Sequence, residues 1–371
     1  MTPTSLILRA LSIGYRVRRS LHRRSAAARL ADQCRSAFYD RAWRGAADEL
    51  GASIRSLGSH IHEVELDRVR ARVNRNDTSL DDPVTLAIAG DKPLVYRLLS
   101  EARIPVPRHR EFTLPKFAMA IEFLRRVPGP CVVKPAKDTG AGHGVTTGVN
   151  SRYALIQAAA AAAAHGSELL IEEQVAGDSF RLFCLDGQVL DAIRRTCPTV
   201  VADGKSTVRE LVRRTNAERV EQGAKLSQVM LTVDLDMRHT LARQGLTLRS
   251  VPEAGRRVVL KTVSNENLGS ENIPATEALC HEVIETGARA AQIIGARLAG
   301  IDIVTPDPSV PLSENGGVVL EVNTTPGYYY HYHQCGKPFP AATHVLRRLL
   351  YGHENSDTGP PASRLLAAPL D

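Results

Sequence analysis

The sequence has no apolar run near the ~18 to 20 residues that a membrane-crossing helix needs, no C-x-x-C pair, and no acidic residue before Asp32. The first absence excludes an integral helical membrane protein. The second bears on six cysteines (Cys34, Cys131, Cys184, Cys197, Cys280 and Cys335), which are scattered along 371 residues without ligand or disulfide spacing. A small fold stapled by disulfides is excluded, and the cysteines read as buried thiols of a protein in a reducing, cytoplasmic compartment.

The third absence locates the charge. The acid-free stretch holds Arg9, Arg16, Arg18, Arg19, Arg23, Arg24 and Arg29, so 40 of the 47 basic residues remain to face 40 acidic ones. The body is neutral, and the net charge of +7 lies in residues 1–31. No nucleic-acid partner is expected. Leu6, Ile7, Leu8, Leu11, Ile13, Val17 and Leu21 alternate with the arginines, as in a basic amphipathic helix. Three readings stay open: a helix packed on the body, peripheral contact with anionic lipid, and organelle targeting.

A chain of this length suits two or three sub-domains sharing a cleft. Residues 36–50 are expected as a helix ending at Gly51 and residues 54–73 as short alternating strands, making a small α/β lead-in domain over 32–90. Asp82-Pro83 signals a helix start, and a second helix is expected over 92–102. A strand over 131–134, a glycine-rich loop over 139–144 and a helix opened by Ser151 and closed by Gly166 come next.

Strands over 169–173, 180–185 and 189–193 follow, the last two joined by an Asp186-Gly187 hairpin turn. A helix over 207–221, an irregular stretch over 226–255, a strand over 257–263 and a long helix over 274–295 lead to two closing strands, 298–304 and 318–322. The tail from Asn355 is expected to be disordered.

Three clusters carry chemistry. In the strand Val318-Val319-Leu320-Glu321-Val322-Asn323, Glu321 and Asn323 emerge on one face. Asp302 sits in a second apolar strand, where an unpaired carboxylate is costly. A shared Mg²⁺ resolves both costs, since it takes oxygen ligands beside phosphates; structural pairing with buried Lys or Arg is the alternative.

In the second cluster, Lys134 ends a buried strand and is followed by Thr139, Gly140, Gly142 and Gly144, a loop able to cradle polyphosphate. It matches neither the Walker A nor the Rossmann pattern. Asp203-Gly204-Lys205-Ser206-Thr207 is no Walker A motif either, because Thr199 stands where a glycine is required; it reads as a turn capping the next helix. The third cluster is an edge-like strand whose backbone near Glu172, Glu173 and Val175 reads an adenine, with Asp178 or Ser179 for ribose and Arg181 for phosphate.

The order of these clusters resembles the ATP-grasp superfamily, and within it the ATP-grasp portion of cyanophycin synthetase and related amino-acid ligases. The resemblance runs from about Asp81 to Gly327 through CVVKPAKDTGAGHGV, LLIEEQVAGDSFRLFCLDGQVLDAIRR and GIDIVTPDPSVPLSENGGVVLEVNTTPG. It implies an α+β ATP-grasp domain over 91–350, with subdomains 91–175 and 176–350 clamping ATP, followed by a tail over 351–371. It further implies Lys92 and Lys134 as phosphate and adenine contacts, 140–144 as the mobile loop, Glu172 and Val175 at the adenine edge, and Asp302, Glu321 and Asn323 on Mg²⁺, with Mn²⁺ as a substitute.

Two departures stand out. Ser179 occupies the slot of the family's ribose carboxylate, with Asp178 one residue earlier, and the chain ends 44 residues beyond Gly327, where cyanophycin synthetase continues into a Mur-ligase-like module. Polymer synthesis is therefore not expected. The resemblance implies a carboxylate–amine ligase working through an acyl-phosphate on small-molecule acids and amines, with Arg181, Arg194 and Lys261 neutralising charge. A phosphotransferase and a non-catalytic nucleotide-binding protein are the alternatives, and a homo-oligomer stays open. The run Tyr328-Tyr329-Tyr330-His331-Tyr332-His333 is expected either to contact the acceptor or to pack as an aromatic loop.

Overall fold

In the computed structural model, which describes residues 3–23, 26–137, 139, 142–221, 230–263, 272–336 and 338–352, the arginine-rich segment forms helix α1 (Pro3–Arg23). Leu8 and Ser12 are buried, and Arg16 and Arg19 donate to the carbonyls of Ala163 and Ala164 at 3.2 and 2.8 Å. Helix α2 (Ala26–Leu50) buries Phe38, Tyr39, Ala42, Trp43, Ala46 and Ala47, a spacing of three and four that makes one continuous face. That face covers an antiparallel meander of β1 (Ser53–Gly58), β2 (Ile61–Leu66) and β3 (Val69–Asn74). Trp43 is fully buried and donates its indole N–H to the Arg75 carbonyl at 2.7 Å; truncating such a side chain costs about 3–5 kcal/mol.

Two aspartate caps then start two helices. Asp82 accepts from the N–H groups of Val84 and Thr85 to open α3 (Pro83–Gly90), and Asp91 accepts from Leu94 to open α4 (Lys92–Glu101). Proline in the first turn of each costs nothing, because those N–H groups have no intrahelical partner. The cap at Asp91 fixes Lys92 as the first helical residue.

Next come β4 (His109–Thr113), α5 (Phe117–Arg126), β5 (Cys131–Pro135), β6 (Thr146–Val149), α6 (Arg152–Ala162) and β7 (Glu168–Glu173). The strands form an antiparallel sheet in the order β4-β7-β5-β6. Strand β7 is therefore interior, not the edge its sequence suggested; Glu172 pairs with His109 on one side and Val132 on the other. The alanine run of α6 packs against this sheet together with Phe112, Phe117 and Val133.

A second sheet follows from β8 (Asp178–Leu185) and β9 (Gln188–Arg195), joined by the expected Asp186-Gly187 turn, in which both residues have positive φ. Strand β10 (Thr199–Val201), helices α7 (Val208–Glu221) and α8 (Leu235–Arg243), and strand β11 (Arg257–Val259) make a satellite with its own core. Asp203 accepts from the N–H groups of Lys205 and Ser206, and Thr207 and Glu210 cap each other reciprocally; this stretch is a capped turn.

Short β12 (Ile273–Pro274), helix α9 (His281–Ile294), β13 (Leu298–Thr305), α10 (Leu312–Asn315) and β14 (Val318–Thr324) complete an antiparallel sheet ordered β12-β9-β8-β13-β14. Its other end is closed by α11 (Tyr329–Tyr332) and α12 (Ala341–Tyr351).

Three expectations need correction. The long helix begins at His281, since 274–278 is taken up by β12 and a 3-10 turn; the strand from Arg257 ends at Val259; and the irregular stretch contains α8, capped by Asp234. Of the thiols, Cys34, Cys131 and Cys184 are buried, Cys197 and Cys280 are half-buried, and Cys335 is exposed. The tail from Asn355 and Gly140 lie outside the described residues.

Candidate active site

Alternation and register build the centre of the site. Across the second sheet, Asp302 of β13 stands opposite Arg181 of β8 on one side and Glu321 of β14 on the other. The next pair along, Gly300 and Asn323, brings Asn323 within 3.3 Å of an Asp302 oxygen. At Gly300 an added Cβ would stand 3.0 Å from the Arg181 guanidinium, so the absence of a side chain there leaves room for it.

Arg181 forks onto both Asp302 oxygens, with Nη2 at 2.8 Å from Oδ2, and Arg195 adds a contact of 3.0 Å to Oδ1. Burial alone would raise the Asp302 pKa, but these two guanidiniums outweigh it and hold the carboxyl below its ordinary value. Asp302 is thus an anion in a buried site.

The first sheet contributes Lys134, and α4 contributes Lys92. Lys134, near the end of β5, pairs with Glu172 of neighbouring β7 at 2.8 Å. Both also meet Tyr96 of α4: its hydroxyl accepts from Lys134 Nζ at 3.0 Å and lies 2.9 Å from a Glu172 oxygen and from the Leu320 carbonyl. Burial, and then the Glu172 charge, push the Tyr96 phenol well above its ordinary value, so it stays protonated. Lys92 pairs with Glu321 at 3.2 Å and donates to the Thr139 carbonyl at 3.0 Å. Helix α4 therefore bridges the two sheets: Tyr96 meets Lys134 and Glu172 of the first and Leu320 of the second, and Lys92 pairs with Glu321.

Between them lies a cavity of about 590 Å³. Of the residues singled out in the sequence, Lys92, Lys134, Thr139, Gly142, Glu172, Glu173, Val175, Asp178, Ser179, Arg194, Asp302 and Glu321 all line it. Gly177 turns the chain from one sheet to the other at φ +131°, and a Cβ there would meet the Thr305 carbonyl at 2.3 Å. Asp178 pairs with Arg194 at 3.0 Å and Glu173 with Arg108 at 2.6 Å.

No protein-family model matches the sequence. The chain is 33% identical over 247 residues to the cyanophycin synthetase of Trichormus variabilis, covering 66% of this chain and 27% of that protein. It is 32% identical over 302 residues to the glutathione biosynthesis bifunctional protein GshAB of Enterococcus faecalis, covering 79% of this chain and 38% of that one. Among solved structures it resembles a bifunctional glutathione synthetase from Pasteurella multocida with a TM-score of 0.53 and 23% identity, covering 83% of this chain and 44% of that one. The chain has the ATP-grasp fold. It spans between 27% and 38% of the length of the curated relatives named.

Against the ATP-grasp expectation of Mg²⁺, the donors fit in kind. Asp302 and Glu321 offer hard carboxylate oxygens side by side across β13 and β14, while Asn323 donates its amide Nδ2 to Asp302 and to the Gly300 carbonyl, so its oxygen would serve only with the amide turned over. Among the described residues no three His, Cys, Asp or Glu groups form a metal cluster. Burial of the carboxylates is met by the alternative expectation, pairing with buried Arg and Lys. Asp302 is neutralised by Arg181 and Arg195, and Glu321 by Lys92, so the pairs account for the burial by themselves.

Other expectations shift within the ATP-grasp frame. Arg181 is turned onto Asp302 instead of standing open for phosphate. Lys261 lines a second cavity of about 650 Å³, together with Gly144, where it pairs with Asp234 at 2.6 Å. Gly142, His143 and Val145 line both cavities, so the glycine-rich segment is the wall between them.

The aromatic run packs. Tyr328, Tyr329 and His331 are buried against Phe38, Tyr39, Trp43 and Phe183, which decides for a packing loop over an acceptor site. Sequence reasoning missed Arg195 and Tyr96. A second arginine beside Arg194, at the end of an apolar strand, was the one available signal for Arg195; for Tyr96, an aromatic inside an amphipathic helix, there was none.

Proposed function

We propose that the chain is an ATP-dependent carboxylate–amine ligase acting on an amino acid, a peptide or an amino-acid-derived metabolite. The observation that carries this reading is the convergence of Lys92, Lys134, Asp302 and Glu321 on one cavity of about 590 Å³ between two sheets. The similarity to a cyanophycin synthetase and to a glutathione-biosynthesis protein supports the choice of amino-acid or peptide substrates.

In this reading a carboxylate oxygen of the acid attacks the γ-phosphorus of ATP, and the bond to the ADP oxygen breaks. The amine nitrogen then attacks the acyl carbon, phosphate leaves with its oxygen, and the nitrogen loses a proton to give the amide. Mg²⁺, or Mn²⁺ in its place, supplies charge neutralisation at the phosphates when bound, and Asp302, Glu321 and Asn323 would hold it. Lys92 and Lys134 hold phosphate oxygens; their partners Glu321 and Glu172 keep both ammonium groups aimed into the cavity. Glu172, Glu173 and Val175 border the adenine, and Asp178 or Ser179 meets the ribose. Arg194, beside Asp178, takes a phosphate or the substrate carboxylate, and the glycine-rich segment closes over the triphosphate. Arg181 and Arg195 position Asp302. Lys261 stands across the glycine wall, paired with Asp234, and takes no part in this step. Most of the catalytic work is placement and charge neutralisation.

Hydroxylamine trapping tests the proposal. With ATP, Mg²⁺ and a panel of amino acids and short peptides, an acyl-phosphate is captured as a hydroxamate. Acid-dependent ADP release without hydroxamate identifies a phosphotransferase instead, and no acid-dependent ADP release across the panel overturns the ligase reading.

A further inference from the structure

Helix α1 presents two different long faces. Leu8, Ser12, Tyr15 and Arg19, spaced four, three and four apart, form the side turned to the body: Leu8 and Ser12 are buried, Tyr15 and Arg19 half-buried, and Arg19 reaches the carbonyl end of α6. The opposite side carries Leu6, Ile13 and Val17, which are 56%, 61% and 55% exposed, with exposed Ile7 on one flank. No other helix of the described residues displays so many large apolar side chains to solvent. At about 100° per residue, Arg9 borders this stripe on one edge, beside Arg16, which also donates to the Ala163 carbonyl, and Arg18 lies toward the other edge at the rim of the second cavity; all three are exposed.

We propose that this outward stripe is a docking surface for an anionic lipid bilayer, on which α1 lies flat with its apolar side chains in the acyl boundary and its arginines at the headgroups. Charge selects this occupant. No acid precedes Asp32, so the arginine rows have no complement on their own helix, and a second copy of α1 laid against the stripe brings arginine to arginine. Lipid phosphates and carboxylates provide the missing sign. The helix lies on the bilayer and does not cross it, because no helix among the described residues is long and apolar enough to do so. Residues 32–371 are neutral by sequence, so attraction is confined to the first 31 residues, five of whose seven arginines are in α1, and presents one side of the protein to the surface.

The test is co-sedimentation of the full chain with phosphatidylcholine vesicles, with and without phosphatidylserine. Binding is expected only with phosphatidylserine, weakening as salt rises. The double substitution Ile13→Glu with Val17→Glu should abolish it, and Arg9→Gln, which removes one charge and no apolar contact, should weaken it roughly fivefold. Both variants alter exposed side chains, so an unchanged melting temperature reports an intact fold. Equal binding to neutral and anionic vesicles, or none to either, overturns the proposal. A concentration-dependent dimer that Ile13→Glu with Val17→Glu disperses, without vesicle binding by the parent chain, also overturns it and assigns the stripe to a second copy.

Discussion

One face of the β12-β9-β8-β13-β14 sheet carries two neighbourhoods of opposite character. Toward one end, Arg181, Arg195, Asp302 and Glu321 meet at the cavity edge. Two residues further along β8, at Phe183, the same face is roofed by Tyr328, His331 and Phe339 and packs into the core formed with α2 and α12. Each end holds a buried carboxylate. Asp302 has two guanidiniums, whereas Asp191 has the ring of His331, Nδ1 at 2.6 Å, whose pKa burial lowers against the pull of Asp191. A guanidinium cannot shed its proton, so the cavity end keeps its charge; an imidazole can, so the roofed end is free to be neutral on the His side. The proposed polyphosphate pocket would need the first arrangement, and a packed core tolerates the second.

The sharpest way to break this contrast is at the shared carboxylate of the cavity. Glu321→Gln keeps the shape but removes a charge beside Lys92, and steady-state ADP release should fall roughly 10²–10³-fold with little change in melting temperature. Near-normal turnover by the folded variant would remove Glu321 from the site.

The two ends can next be compared by removing each carboxylate. Asp302→Asn strands two buried guanidiniums and should cost about 3–5 kcal/mol. Asp191→Asn leaves its neighbour able to stay a neutral ring, so the cost should be about 1 kcal/mol. Chemical denaturation of both variants measures the difference, and equal losses would mean that both ends are equally charged.

The smallest effect is in pH. Both Asp302 and His331 have lowered pKa values in the fold. A lowered value means that the unfolded chain binds the proton more readily, so stability is full above the unfolded value and is lost as pH falls through the folded one. For His331 that loss begins below about 6.5, and for Asp302 below about 3.9. Melting temperature should therefore decline first between about pH 6.5 and 5, a limb shared with His165, His239, His333 and His344, whose pKa values burial also lowers, and His331→Phe should make it shallower while leaving the acid limb in place. An unchanged limb in the variant would place the titration elsewhere.

Much of the fold was legible because its signals are local. The caps at Asp82 and Asp91, the Asp186-Gly187 turn, the Asp203 turn and the alternation that aims Glu321 and Asn323 to one side each depend on a few adjacent residues. The interior position of β7 was not legible, since a strand's sequence does not say whether both of its edges are paired. Nor was the role of the aromatic run: Tyr328 and His331 pack against Phe38, Trp43 and Phe183, which come from a distant helix and strand. Arg195 escaped notice because its partner Asp302 lies on another strand.

By itself the sequence determined which elements form and which chemical groups they carry, because capping, alternation and turn geometry are short-range. It also determined that the excess charge belongs to residues 1–31. Only the tertiary structure decided which charge meets which: Arg181 and Asp302 are 121 positions apart, and strand register alone makes them neighbours. The same holds for the orientation of α1, whose arginines could face either way until Arg16 and Arg19 found the open carbonyls at the end of α6 and left the apolar stripe outward.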